Sequence, residues 1–233
     1  MVCDIENRDC MLHSCPECPG KEALHEDLLK IFSDCEFDEG DHVTYKKWVH
    51  TDKTTLVSLQ TSMTEFLDII CDSMDKLRDH HYIAKSQAKA LQQMKEVLDE
   101  KTAIVLLDFA ENYSFIVQDA VQGYHWDNSQ ATLHPFAIYL IDPATKERKC
   151  VSMCVISVDL RHDTASVHAY IHPVLEHLKT NYSHLEHVIY FSDGAASQYK
   201  NFKNLSNLCH HHQDFGLSAE WNFFCDKSWK KSM

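Results

Sequence analysis

The chain has 233 residues, 44% of them hydrophobic, with only 5 Gly and 5 Pro, which excludes a low-complexity linker and a turn-rich all-β protein. No apolar run reaches the ~20 residues that span a bilayer, and the acidic, polar start MVCDIENRDC is not a secretory signal, so an intracellular chain outside the membrane is expected. A formal net charge of −13 repels a phosphate backbone at long range. Action on DNA would then need a local basic patch, a metal or a separate basic domain.

The first motif is a cysteine cluster, Cys3, Cys10, Cys15 and Cys18. In a reducing compartment spaced cysteines point to metal rather than disulfides. Four thiolates suit tetrahedral Zn²⁺, and Cys15-x-x-Cys18 lets two sulfurs of one turn reach one ion. A second CxxC is missing, His13 is a possible substitute ligand, and free thiols are the alternative. Residues 1–20 are read as a zinc-knuckle-like segment.

Residues 21–100 read as an α-rich adaptor with a β-hairpin. Lys21 to Ser33 has helical periodicity, with Leu24, Leu28, Leu29, Ile31 and Phe32 as its apolar side. Val43–Val49 and Thr54–Leu59 form the hairpin around His50–Lys53. Ser62-Met63-Thr64-Glu65 has the form of a capping box and opens a helix to about Leu77, with a second helix over Ser86–Leu98.

From residue 101 the pattern changes. Thr102–Leu107 (TAIVLL) is a continuous apolar run, the signature of a strand buried on both faces. Leu133–Ile141 and Lys149–Val158 follow as strands around the turn Asp142-Pro143-Ala144-Thr145. A helix is expected over Asp163–Thr180, kinked or split at Pro173. Then come a strand at Glu186–Ser192, a helix at Ser197–His211 and a strand at Ser218–Phe224.

This β-β-β-α-β-α-β order sets Asp108 at the end of the first strand and Asp193 at the end of the fourth. A charged side chain at such a point is a cap or a ligand for something positive. The order fits an α/β, ribonuclease H-like mixed sheet flanked by helices, in which the two aspartates would meet on neighbouring strands. Paired carboxylates are hard oxygen ligands for Mg²⁺ or Mn²⁺, and two such ions can clamp the attacking and leaving oxygens of a phosphodiester. Alone, each aspartate reads equally as a strand-end cap or turn residue. Glu111 is a further acid beside the site or a solvated turn residue. Lys200 and Lys203, beside Tyr199 and Phe202, are candidate phosphate contacts or a solvated helix face.

The segments LLDFAENYSFIVQDAVQGYHWDNSQATLHPFAIYL and IYFSDGAASQYKNFKNLSNLCHHHQDFGLSAEWNFF, with CMLHSCPECPG and YKKWVHTDKTTLV upstream, resemble a group of transposase-derived proteins of invertebrate mobile elements. The resemblance covers nearly the whole chain. It implies an acidic-triad site with Asp108 and Asp193 as the first two carboxylates, DNA as partner and a nuclear location. It departs after AEWNFF, where Cys225 to Met233 replaces the helix that would carry the third carboxylate. Asp226 is its only remnant there, so residues 101–233 are expected to be an incomplete core of weak or no activity. A non-enzymatic zinc-containing binding protein is the competing reading. An aspartate-nucleophile phosphatase is a lesser one, because Ala110 stands where that chemistry needs a second Asp.

Other residues read as structural. His210-His211-His212 suits a helix C-terminus carrying partly positive imidazoles rather than a metal tract. His125-Trp126 and His134-Pro135 read as loop residues in packing roles, with the lining of a site as the alternative, and Trp48, Trp126 and Trp221 as packing anchors.

Overall fold

Two compact units emerge in a computed structural model that describes residues 1–35, 40–115 and 129–224: among these residues, 1–88 form the first and 89–224 the second. His125, Trp126 and Asp226 lie outside the described residues.

The first unit begins with a short helix, α1 (Arg8–Met11), started by Asn7, whose side chain accepts from the backbone N–H groups of Asp9 and Cys10. Helix α2 (Gly20–Asp34) follows. Its apolar stripe is narrower than expected, because Ile31 is 56% exposed. Strands β1 (His42–His50) and β2 (Thr54–Ser62) form the expected antiparallel hairpin. Trp48 is 48% exposed on it, which corrects the reading of this residue as a packing anchor.

Helix α3 runs unbroken from Met63 to Glu96, where two helices were expected. Residues 78–85 contain neither Gly nor Pro, so the backbone has no local reason to stop. The capping box is realised: the Glu65 N–H donates to Ser62 Oγ at 3.3 Å, and the Glu65 carboxylate accepts from the Ser62 N–H as well as from the Thr61 hydroxyl. Helix α2 meets α3 through Lys21–Asp72 and His25–Asp68.

The second unit is built on a six-stranded mixed sheet. Its strands are β3 (Thr102–Leu107), β4 (Tyr113–Ser114), β5 (Gln130–Ile141), β6 (Arg148–Ser157), β7 (His187–Ser192) and β8 (Ser218–Phe223). Strand β3 is central, antiparallel to β5 and parallel to β7. Strand β8 extends the parallel side, while β6 extends the antiparallel side and β4 pairs at the start of β5. The β5–β6 turn closes on Asp142, whose carboxylate accepts from the Ala144 and Thr145 N–H groups.

Helix α4 (Thr164–Asn181) lays Val167, Ile171, Val174, Leu175 and Leu178 against Ala103, Val105, Phe136, Ile138, Leu140 and Val188 of the sheet. Full burial of each large apolar side chain contributes about 1.5–3 kcal/mol. The helix passes through Pro173 without splitting, and the missing N–H falls at one point of an otherwise well-buried helix. Asp163 caps its start, accepting from the Ser166 N–H at 2.9 Å.

Helix α5 (Phe202–Phe215) begins five residues later than expected. Residues 195–201 form tight turns in which the Ala195 carbonyl accepts from the N–H groups of Gln198, Tyr199 and Lys200, and Asn201 is the N-cap. Asp193 therefore does not cap this helix. At its other end, His211 corrects the reading of the histidine tract. It is buried, with Nδ1 at 2.7 Å from the Leu217 carbonyl and Nε2 at 2.9 Å from the Tyr190 hydroxyl. Burial pushes its pKa down, so it is a neutral core group.

Candidate functional site

Two places gather chemistry-bearing side chains, one in each unit.

In the first unit, the sulfurs of Cys3, Cys10, Cys15 and Cys18 all lie within 4.8 Å of one another. The four cysteines are close enough to hold a metal such as zinc. Helix α1 supplies Cys10 and the following turns supply Cys15 and Cys18, while the N-terminal strand of chain folds back to bring Cys3. The Cys3 N–H points at Cys18 Sγ at 3.5 Å and its thiol donates to the Glu17 carbonyl at 3.2 Å. Sulfurs this close share their protons unequally. The Cys18 thiol is held low, first by the Cys3 N–H, whereas the Cys3 thiol is pushed up to about 12, first by its hydrogen bond to Cys18. Thiolate character at one sulfur is what a metal recruits. His13 is not a member of the cluster. Its Nδ1 meets Arg78 and its Nε2 lies 2.9 Å from Asp79, both on α3.

In the second unit, Asp108 follows β3 directly and Asp193 follows β7 directly. The two strands are parallel, with one constant offset that pairs Thr102 with His187 and Leu106 with Phe191. Carried two residues further, that offset sets Asp108 opposite Asp193. Both stand at the carboxyl ends of adjacent parallel strands, the edge at which open α/β sheets bind ligands. Neighbouring strands are about 4.7–4.9 Å apart. Asp108 is exposed and accepts from the Phe109 N–H at 2.8 Å; Asp193 is partly buried and accepts from the Ala195 N–H at 3.1 Å.

Both charges are felt by one buried group. The Tyr199 phenol is pushed upward first by burial and then by the Asp108 and Asp193 carboxylates. Its hydroxyl lies 3.0 Å from Nε2 of His134, which is fully buried on β5 and not in a loop. Burial holds His134 down at about 4. Phe109 closes the layer, with its ring edge-on to His134 at 4.4 Å and stacked on His162 at 4.3 Å. His162 Nε2 is 2.8 Å from the Asn112 side-chain oxygen, and Thr132 donates to the Asp159 carbonyl at 2.8 Å. The loop that follows Asp108 is thus fastened from behind. Glu111 is exposed in that loop. Among the described residues, no set of three His, Cys, Asp or Glu ligand atoms within 4.8 Å includes Asp108, Asp193 or Glu111.

The match to protein families divides along similar lines. A family described as a domain of unknown function, DUF8701, matches residues 87–232, more than half of the chain. The chain belongs to the DUF8701 family. A second domain of unknown function, DUF8700, matches residues 1–78. No curated protein and no solved structure matches the chain. The DUF8701 segment contains both aspartates and the layer behind them, and the DUF8700 segment contains the four cysteines.

Within the DUF8701 segment the two lysines part company. Lys200 is exposed, with its ammonium 5.7 Å from the centre of the Phe223 ring. Lys203 lines a cleft of about 570 Å³ with Asp163, His168, Ser197, Phe202 and Ser206. Phe202 is 85% exposed at its rim. Sequence reasoning passed over His134, Tyr199 and His162 as a set, because they come from a strand, a turn and a loop with no common motif. The only local signal was a polar residue, His134, inside an otherwise apolar run.

Proposed function

We propose that this DUF8701 member is a transposase-like protein, with a divalent-metal site for nucleic-acid phosphodiester chemistry at Asp108 and Asp193 and a zinc ion on Cys3, Cys10, Cys15 and Cys18. The observation that supports the reading is the shared offset of β3 and β7, which carries Asp108 and Asp193 to the ends of adjacent parallel strands. The strand order β6-β5-β3-β7-β8, antiparallel on one side of β3 and parallel on the other, supports a ribonuclease H-like sheet.

The chemistry of the donors fits Mg²⁺ or Mn²⁺, which take carboxylate oxygens and water. Such ions, when bound, stabilise charge on the attacking and leaving oxygens of a phosphodiester. Asp108 and Asp193 would bind them. Tyr199, His134 and Phe109 would keep the strand ends and the loop after β3 in position. Lys200, Lys203 and the exposed ring of Phe202 would meet phosphate and base on DNA, offsetting locally the net charge of −13. With only two carboxylates assigned to the site, turnover is expected to be weak, since misplacement of an ion by about 1 Å costs ~10²-fold.

The test joins binding to chemistry. Mn²⁺ binding is measured on the full chain, and nicking is followed on short DNA duplexes with Mg²⁺ or Mn²⁺. The reading expects Mn²⁺ binding and slow nicking that both vanish in Asp108→Ala and in Asp193→Ala. Mn²⁺ binding without nicking would favour a non-enzymatic nucleic-acid-binding protein. Failure to bind Mn²⁺ would overturn the site.

A further inference from the structure

Helix α4 carries a pair of histidines one turn apart, His168 and His172, whose Nε2 atoms lie 3.3 Å apart with the rings edge to face. Residues at this spacing lie on one face of a helix. His168 is partly buried and lines the cleft beside Lys203, while His172 is exposed. Both rings rest against Phe215 of α5, at 4.8 Å for His172 and 6.2 Å for His168. The Asp214 carboxylate, next to Phe215, is near enough for its charge to act on His168.

Two imidazoles in this position cannot both be charged without repelling one another. Burial and the neighbouring ring hold the His168 pKa down, which keeps a lone pair available at neutral pH. The spacing has a further property. Zinc–imidazole bonds are about 2.0–2.1 Å long. Two Nε2 atoms 3.3 Å apart therefore subtend an angle of about 105–110° at an ion bound to both, the tetrahedral value. The two rings are nearly perpendicular and braced by an aromatic side chain, so small ring rotations bring both nitrogens onto one ion. The ring that donates the hydrogen bond moves its proton from Nε2 to Nδ1, and both rings then bind as neutral imidazoles.

We propose that His168 and His172 form a second transition-metal site, separate from the cysteine cluster and from the two aspartates, taking Zn²⁺ or Ni²⁺ on two imidazoles with water completing the shell. Imidazole donors select such borderline ions over Mg²⁺. Asp214 on α5 adds negative charge that acts on His168. The site does not depend on the proposed phosphodiester chemistry.

The experiment is a calorimetric titration of Ni²⁺ into the full chain with its cysteine cluster preloaded with one equivalent of zinc. The expected result is one further saturable event in the wild type. It should weaken by more than about tenfold in His172→Gln, since even partners outside the ligand shell are worth ~10–100-fold. The same event should persist in His177→Gln, a control imidazole on the same helix. His172 is exposed, so His172→Gln is expected to melt at the wild-type temperature without added metal, and Ni²⁺ should raise the melting temperature of the wild type only. A wild type with no further event, or an event that survives unchanged in His172→Gln, overturns the proposal.

Discussion

The hydroxyl of Tyr199 and the Nε2 of His134 lie 3.0 Å apart, both side chains fully buried, directly behind the strand end that carries Asp108. A turn residue after β7 is thereby joined to the middle of β5, across the width of β3. The phenol and the imidazole share one hydrogen bond, and burial keeps the imidazole neutral. Stability should then depend on pH through this histidine.

His134 is held at about 4 in the folded chain against an ordinary 6.5. Its folded pKa is depressed, so below pH 6.5 the unfolded chain takes up a proton that the folded chain refuses. The stability it contributes is full above pH 6.5 and is lost progressively as pH falls toward 4, by about 3 kcal/mol in all. Urea denaturation at pH 7, 6, 5 and 4 should show this decline, and His134→Gln should flatten it. An unchanged slope in the variant would mean that other groups carry the pH dependence.

Removing the Tyr199 hydroxyl isolates the other half of the pair. Tyr199→Phe keeps the ring packed but leaves the imidazole nitrogen of His134 without its phenol. A buried polar atom stripped of its partner costs about 1–3 kcal/mol. The midpoint of chemical denaturation should fall accordingly. Mn²⁺ binding by the aspartates should change far less, because the phenol positions the strand ends and is not itself a ligand.

Cys15→Ser with Cys18→Ser should abolish zinc binding at the N-terminal cluster. The four sulfurs lie within 4.8 Å of one another, so losing two leaves no tetrahedral set. Metal analysis should fall from about one zinc per chain to none, and thermal melting of the first unit should drop. The acid transition tied to His134 should remain where it is. A variant that binds zinc as before would remove these cysteines from the site.

Gly216 ends α5 with φ +72, and its N–H donates to the His212 carbonyl at 2.8 Å. An added Cβ would meet nothing within 4 Å, so the cost of Gly216→Ala is conformational alone. A left-handed backbone costs an L-residue about 1–2 kcal/mol. The loss should appear in global stability, because the following residues enter β8 and Leu217 is buried. Asp163→Ala, which removes the cap of α4, should cost about 1 kcal/mol by comparison.

What the amino-acid sequence determined by itself was set by signals within a few residues. The TAIVLL run became β3 with its predicted bounds, because continuous burial on both faces leaves no other use for six apolar residues. Ser62 and Glu65 marked the start of α3, and the short Asp142 turn marked the hairpin of β5 and β6. Cys15 and Cys18 announced a metal-sized turn. Local signals failed where a distant contact decided the outcome. The late start of α5 follows from Tyr199 being drawn into the core against His134, which commits residues 195–201 to turns. His211 reads as a surface cation until Tyr190 and Leu217 take both its nitrogens and burial neutralises it. The cysteine cluster is an exception, since all four members were legible in the sequence and the fold-back of the N-terminus brings Cys3 to the other three. Above all, Asp108 and Asp193 come to neighbouring strand ends because β3 and β7 pair in parallel with one offset. Strand pairing is a contact between residues far apart in the chain, and only the packed sheet can select it.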